Sequence, residues 1–140
     1  MRAMPALVVI CSSLLAAPAY ADDAVDQTRK IIEQQIDAFL NDDVDAAYSF
    51  AAPGIKARYP DKNAFFAMVK KSYQPVYHPG NFAFGRNKNI GEGEMILHEV
   101  IISADDGKDW KAVYQMLRQP DGSYRIGGVM IVPEQDSKGI

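Results

Sequence analysis

Residues 94–132 read EMILHEVIISADDGKDWKAVYQMLRQPDGSYRIGGVMIV, and this stretch decides the fold. Apolar and polar residues alternate through three runs separated by Asp105-Asp106-Gly107 and Pro120-Asp121-Gly122. Each separator suits a type I turn followed by a glycine in the left-handed region, which is typical of hairpins. The stretch therefore predicts an antiparallel sheet. With one further run upstream, the predicted strands are 81–87, 94–104, 110–118 and 124–132.

The turn type also fixes a register, which can be checked against the side chains. It sets His98 opposite Tyr114 in the first hairpin. In the second hairpin it pairs Arg118 with Tyr124, Met116 with Ile126, Tyr114 with Gly128, Ala112 with Met130, and Trp110 with Val132. One face then holds His98 and Tyr114 within an apolar surface of Ile96, Val100, Ile102, Trp110, Ala112, Met116, Ile126, Met130 and Val132. A two-residue turn at Asp106-Gly107 would instead set Glu99 opposite Tyr114, and the sequence leaves both possibilities open.

The residues upstream of the sheet predict helices. A first helix is expected from Asp22 to Leu40, because apolar residues recur at three- and four-residue spacing. This stripe consists of Val25, Thr28, Ile32, Ile36, Phe39 and Leu40. Asp43 can cap a short second helix, which Pro53-Gly54 breaks, and a turn at 55–59 leads to a third helix from Pro60-Asp61 to about Tyr73. The segment 73–79, with two prolines, is expected to be extended. Helices followed by an antiparallel sheet give an α+β fold, with the sheet curling around the first helix.

The opposite sheet face is apolar as well. It carries Met95, Leu97, Ile101, Val113, Leu117, Val129 and Ile131, although Glu99, Lys111 and Gln115 lie among them. A sheet that is apolar on both faces needs a cover on both. The helices supply one cover, and we expect that a second copy of the chain, in a homodimer, supplies the other. Gly127-Gly128, inside the last strand, is expected to relieve sheet curvature or to leave room opposite Tyr114.

The N-terminal residues have the three parts of a secretory signal peptide. Arg2 precedes an uncharged apolar run up to Ala17, Pro18 breaks it, and Ala19-Tyr20-Ala21 is a small-x-small cleavage pattern. We therefore predict cleavage after Ala21 and export to the periplasm or the medium. The domain is then expected to span residues 22–133, and residues 134–140 to form a flexible tail.

Cleavage would remove Cys11, which is the only cysteine. This excludes disulfides, thiol catalysis and cysteine-ligated metals in the mature domain. The formal net charge of the full chain is −3, and losing Arg2 makes it more negative, so neither nucleic acid nor an anionic membrane is an expected partner. No second long apolar run predicts a membrane span. We expect no cofactor and no metal, because there are two histidines, and His98 and Glu99 point to opposite faces of a strand.

Several segments together resemble a known bacterial family, the domain-of-unknown-function family 4864. They occur in the family's order and cover roughly residues 25–132: 32–39, 42–48, 50–55, 73–77, 110–114 and 118–126. The family looks similar to the nuclear-transport-factor-2-like superfamily (cystatin-like or SnoaL-like), whose domains are cones of helices and a curved sheet. That resemblance implies a fold and no activity, because such cones include isomerases, dehydratases, polyketide cyclases, epoxide hydrolases and non-catalytic binding or assembly domains.

The candidate site follows from the predicted sheet face. A neutral His98 beside Tyr114 could serve as acid or base near neutral pH. Trp110, Met116, Tyr73 and Tyr77 would then form the apolar wall of a ligand pocket. Since no catalytic motif is present, the main hypothesis is a non-enzymatic exported domain that binds a small apolar ligand or a protein partner. The alternative hypothesis is a pocket enzyme of the isomerase or dehydratase type that uses His98.

Overall fold

A computed structural model describes residue 3 and residues 19–134 of the chain. The apolar run of the predicted signal peptide therefore lies outside the described residues, as does the predicted tail beyond Glu134. Within residues 19–134, five helices precede four strands, which confirms the predicted α+β class. The helices are α1 (Ala19–Leu40), α2 (Val44–Ser49), α3 (Pro53–Arg58), α4 (Lys62–Ser72) and α5 (Gln74–Tyr77). The strands are β1 (Asn81–Ile90), β2 (Met95–Ser103), β3 (Asp109–Arg118) and β4 (Tyr124–Pro133).

The long helix α1 presents the predicted stripe to the sheet. Thr28, Ile32, Ile36 and Phe39 are buried, as their spacing requires. The prediction that Leu40 belongs to the buried stripe is wrong, because its side chain is 42% exposed. It is the last residue of α1, and the chain turns away immediately after it. Ala38 and Phe39 fill the inward positions of that final turn instead.

Two segments that were predicted as non-helical are short helices. The expected turn at 55–59 is part of α3, and the expected extended segment 73–79 contains α5. The physical reason is the same in both. Pro53 and Pro75 lie in the first turn of a helix, where a missing N–H breaks no hydrogen bond and the fixed φ favours the helical conformation. The capping predictions are confirmed, since Asp43 accepts a hydrogen bond at the start of α2.

The four strands form one antiparallel sheet in the order β1-β2-β3-β4. In the β2–β3 hairpin the predicted register is confirmed, and His98 lies opposite Tyr114. The alternative register, with Glu99 opposite Tyr114, is wrong, because Glu99 pairs with Val113 on the outer face. Gly107 has φ of +82°, as the predicted turn requires.

The register of the β3–β4 hairpin is confirmed only near its turn. Met116 pairs with Ile126, but the next residue of β3, Gln115, pairs with Gly128. Gly127 is thus an extra residue in β4, a β-bulge, and it reverses which side chains face inward beyond it. Tyr114 lies opposite Val129 and not Gly128, and Ala112 lies opposite Ile131. The predicted inward positions of Met130 and Val132 are therefore wrong, and their side chains are 60% and 40% exposed.

The hydrophobic core lies between α1 and the inner face of the sheet. Inward-facing residues of β2 and β3 are buried, whereas their neighbours in the sequence are less so. An aromatic cluster of Phe39, Phe65, Phe66 and Tyr77 continues this core between α1, α4 and α5. Within residues 19–134, no helix has the length and apolar character needed to cross a membrane.

Candidate functional site

The centre of the inner sheet face is a sealed polar contact. Alternation along β2 turns His98 inward, and α1 places Thr28 directly over it. The Nε2 atom of His98 lies 2.6 Å from Oγ1 of Thr28. His98 is only 1% exposed and Thr28 is fully buried. The sequence-predicted histidine is therefore part of the core.

The hydrogen bonds of Thr28 assign the role of this histidine. The Thr28 hydroxyl has one proton, and it lies 2.7 Å from the carbonyl oxygen of Ala24, which can only accept. When the hydroxyl donates there, it accepts from Nε2–H of His98, so this network places a proton on Nε2. Burial, together with the positive charge of Arg29, lowers the pKa of His98 to about 4. The ring is therefore uncharged at neutral pH.

Tyr114 lies opposite His98 but does not bond to it. Its ring is fully buried, and burial raises the pKa of its hydroxyl. That hydroxyl has no hydrogen-bond partner among the residues that the structure describes. Phe84 completes the surroundings of His98 with an edge-to-face contact at 5.8 Å between ring centroids. The Arg29 guanidinium lies over the same Phe84 ring, 5.4 Å from its centroid.

A cavity of about 610 Å³ lies elsewhere, between the helices and the start of β4. Its size is within the range of small-molecule sites. It reaches the surface at the exposed residues Gly54, Arg58 and Ser72. The complete wall consists of Gln35, Phe39, Gly54, Ile55, Arg58, Tyr59, Phe65, Met68, Val69, Ser72, Tyr73, Val76, Ile126, Gly127, Gly128 and Val129.

The bulge in β4 explains why the sheet leaves room at this place. A Cβ atom built on Gly127 would meet Leu117, and one built on Gly128 would meet Gln115. Leu117 and Gln115 both belong to the outer face of β3, since Met116 between them is buried against the helices. Two successive residues of β4 therefore point outward. The inner face shows bare backbone between Ile126 and Val129, and this backbone forms one wall of the cavity.

The cavity wall is apolar with a few polar groups. Gln35 is buried, and its Nε2 donates to the carbonyl oxygen of Ala47 at 3.2 Å. This bond fixes the amide so that Oε1 is the atom left for a ligand. Ser72, Tyr59 and Tyr73 add hydroxyl groups. Arg58 is the one charged side chain among the described residues of the wall.

The structure does not bring the predicted site residues together in one place. Tyr73 lines the cavity, and it is the only one of the six that does so within the described part of the chain. His98, Tyr114 and Met116 are buried in the core. Tyr77 belongs to the aromatic cluster, and its hydroxyl donates to Asp42. Trp110 is partly buried near the turn of the β2–β3 hairpin, where it pairs with Ile102.

Sequence reasoning missed Gln35, Arg58 and the bulge. The adjacent glycines at 127 and 128 were the available signal, because glycine inside a strand often marks a bulge. Gln35 gave a weaker signal as a polar residue within the apolar stripe of α1. Arg58 gave none, since an arginine at the C-terminal end of a helix is already favourable for the helix dipole.

The outer sheet face carries a charge cluster. Glu99 accepts hydrogen bonds from Arg86 at 3.0 and 3.1 Å, and these bonds lower the pKa of Glu99. Lys111 lies 3.9 Å from Glu99 and 3.7 Å from Glu134. Met130 and Val132 add exposed apolar area on the same face. The homodimer through this face stays a prediction.

Comparison with known proteins identifies the family. The family model described as Domain of unknown function (DUF4864) matches residues 21–139, so the chain belongs to that family. This confirms the predicted resemblance to the domain-of-unknown-function family 4864. No curated protein and no solved structure matches the chain.

Proposed function

We propose that this member of the DUF4864 family is a non-enzymatic binding domain that holds a small apolar ligand in the 610 Å³ cavity. The observation that carries the proposal is the composition of the wall. Eight of its side chains are purely hydrocarbon or thioether groups: Phe39, Ile55, Phe65, Met68, Val69, Val76, Ile126 and Val129. An apolar cavity with a few placed polar groups is the usual form of a small-molecule site.

The volume limits the size of the ligand. A water molecule takes about 30 Å³ of liquid volume, so the cavity has room for about 20 non-hydrogen atoms. That size corresponds to two or three fused or linked rings, or to a medium-length alkyl chain. Aromatic edges from Phe39, Phe65, Tyr59 and Tyr73 would pack well on either shape.

The described wall also supports binding over catalysis. It contains no imidazole, carboxylate, thiol or amine that could act as acid or base near neutral pH. The alternative proposal, an isomerase or dehydratase using His98, needs that ring to touch a substrate. His98 is buried against Thr28 and is not among the residues of the cavity wall. We therefore favour the binding function.

Export is the second part of the proposal. It is supported by the three-part N-terminal signal and by the family match beginning at Ala21, the residue before the predicted cleavage point. Cleavage after Ala21 would leave Asp22 as the first residue of the mature protein. The intact mass of protein recovered from a periplasmic extract would show this directly, and a full-length mass would contradict it.

A neutral fluorescent probe tests the cavity. N-phenyl-1-naphthylamine has 17 non-hydrogen atoms, and we expect it to bind one per chain with enhanced emission. Gly54→Trp should weaken binding at least about tenfold, the cost of losing roughly 1.4 kcal/mol of contacts. Gly54 lines the cavity, and an added Cβ there meets no atom within 4 Å, so a larger side chain begins in open space beside the opening.

The matched control is Ala57→Trp. It adds the same indole to α3 at an exposed residue that is not part of the wall. We expect it to leave probe binding unchanged. Absence of probe binding to the wild-type protein, or equal binding to the two variants, would contradict the proposal.

A further inference from the structure

We infer that the ligand is an apolar organic acid whose carboxylate is held by Arg58 at the mouth of the cavity. This inference rests on the proposed function and names the chemical class of its ligand. The juxtaposition that carries it is one exposed guanidinium at the edge of a wall that is otherwise apolar or uncharged.

The position of Arg58 suits such a contact. It is the last residue of α3, and the same cavity wall includes Ile55 one turn earlier in that helix. Within residues 19–134, no carboxylate forms an ion pair with Arg58, whereas Lys62, Arg86 and Lys111 are each paired. Its donors are therefore free for an anion. A guanidinium presents a planar fork that matches the two oxygens of a carboxylate.

The remaining polar groups order the ligand along the cavity. Gln35 lies on the buried side with Oε1 available as an acceptor, and Arg58 lies on the exposed side. Apolar residues such as Phe39, Val69 and Ile126 line the wall between them. An acid with an apolar body would thus bury its body and keep its carboxylate at the surface. This arrangement avoids the desolvation cost of a buried charge.

Lys56 provides an internal comparison. It belongs to the same helix and carries the same charge, but it is not part of the cavity wall, and its ammonium lies 5.2 Å from the ring centroid of Tyr48. Both residues lie in the last turn of α3 and interact favourably with the helix dipole. A difference between their substitutions therefore reports on the cavity and not on the helix.

Displacement of N-phenyl-1-naphthylamine by three compounds built on an unbranched chain of ten carbons tests the inference. Decanoate, decan-1-ol and decyltrimethylammonium share a chain and differ in the charge of the head group. We expect decanoate to displace the probe best and the cation worst. The preference for decanoate over decan-1-ol should be about 1.5- to 5-fold at low salt, the range typical of exposed ion pairs, and should shrink as salt is added.

The variants Arg58→Gln and Lys56→Gln then locate the preference. Arg58→Gln should remove it by weakening decanoate and should improve displacement by the cation, whereas Lys56→Gln should leave all three compounds unchanged. Equal displacement by decanoate and decan-1-ol in the wild-type protein, or equal loss in both variants, would overturn the inference while the cavity still binds the neutral probe. If the neutral probe itself does not bind, the proposed function fails, and the inference fails with it.

Discussion

The two hairpins that share β3 treat the inner face of the sheet differently. In β2–β3 the register runs without a break from Met95 to Ser103, and every inward residue except the partly buried Trp110 is at most 1% exposed. In β3–β4 one extra residue, Gly127, interrupts the register, and the inner face opens into the cavity. Similar alternating sequences therefore give a sealed centre in one hairpin and a binding wall in the other. The two hairpins differ by one residue of β4, Gly127, which has no partner in β3.

The buried His98 at the centre of the inner sheet face should give the largest effect, which is a dependence of the free energy of unfolding on pH. The pKa of His98 is about 4 in the folded protein, below its ordinary value of 6.5. Between these values the unfolded chain binds a proton that the folded chain excludes, so stability is fully present above pH 6.5 and falls toward pH 4. We expect His98 to account for a loss of about 2 to 3 kcal/mol between pH 7 and pH 4.

Urea unfolding across this pH range measures the loss. His98→Gln keeps a donor for Thr28 and should flatten the curve relative to the wild-type protein. His78→Gln is the control, because His78 is exposed, and its curve should follow the wild type. If the wild type and His98→Gln lost stability in parallel, His98 would not be buried in its neutral form.

Substitution at the β4 bulge should have the next largest effect on the free energy of unfolding. A Cβ on Gly127 would lie 2.4 Å from Cδ1 and 2.7 Å from Cγ of Leu117, so Gly127→Ala should destabilise the protein by about 2 kcal/mol through overpacking. A Cβ on Gly128 would lie 3.2 Å from the flexible amide of Gln115. Gly128→Ala should therefore cost less than about 0.5 kcal/mol.

Leu117→Ala identifies the origin of that cost. When it is combined with Gly127→Ala, the two changes should be non-additive, because the clashing group is gone. The free energies of unfolding of the wild type, the two single variants and the double variant provide this test. Additive losses would mean that Gly127 is required for its backbone conformation and not for its lack of a side chain.

The comparison also shows what the sequence could predict. The β2–β3 register followed from the turn at Gly107 and the strict alternation through His98, because nothing intervenes between turn and strand end. The β3–β4 register followed from its turn only as far as Ile126. Beyond that point an alternation shifted by one residue is equally apolar, since Val129-Met130-Ile131-Val132 offers an apolar side chain in either register.

The candidate site was predictable only in part for the same reason. Tyr73 was expected at the wall of a pocket beside His98, but the cavity that it lines does not include His98. His98 was expected beside Tyr114 and is, but its partner Thr28 comes from a helix whose rotation about its axis no strand pattern fixes. The cavity itself depends on the bulge and on α3, a segment that was predicted as a turn. When a site is formed by helices that pack against an irregular strand, the hydrophobic periodicity of the sequence does not predict it.

The smallest effect on the free energy of unfolding should come from Tyr114, which lies opposite His98 at the centre of the inner sheet face. The hydroxyl of Tyr114 is fully buried and has no partner within residues 19–134, so it contributes no hydrogen bond there. Tyr114→Phe should therefore change the free energy of unfolding by no more than about 1 kcal/mol, and in the stabilising direction, because a buried unpaired polar group is costly. Tyr124→Phe is the matched control. Its hydroxyl is buried and donates to the carbonyl oxygen of Gly93 at 2.6 Å, and its loss should destabilise the protein by about 1 to 2 kcal/mol. Thermal unfolding of the two variants distinguishes the cases, and a larger loss for Tyr114→Phe would show that the hydroxyl at the centre of the sheet is bonded after all.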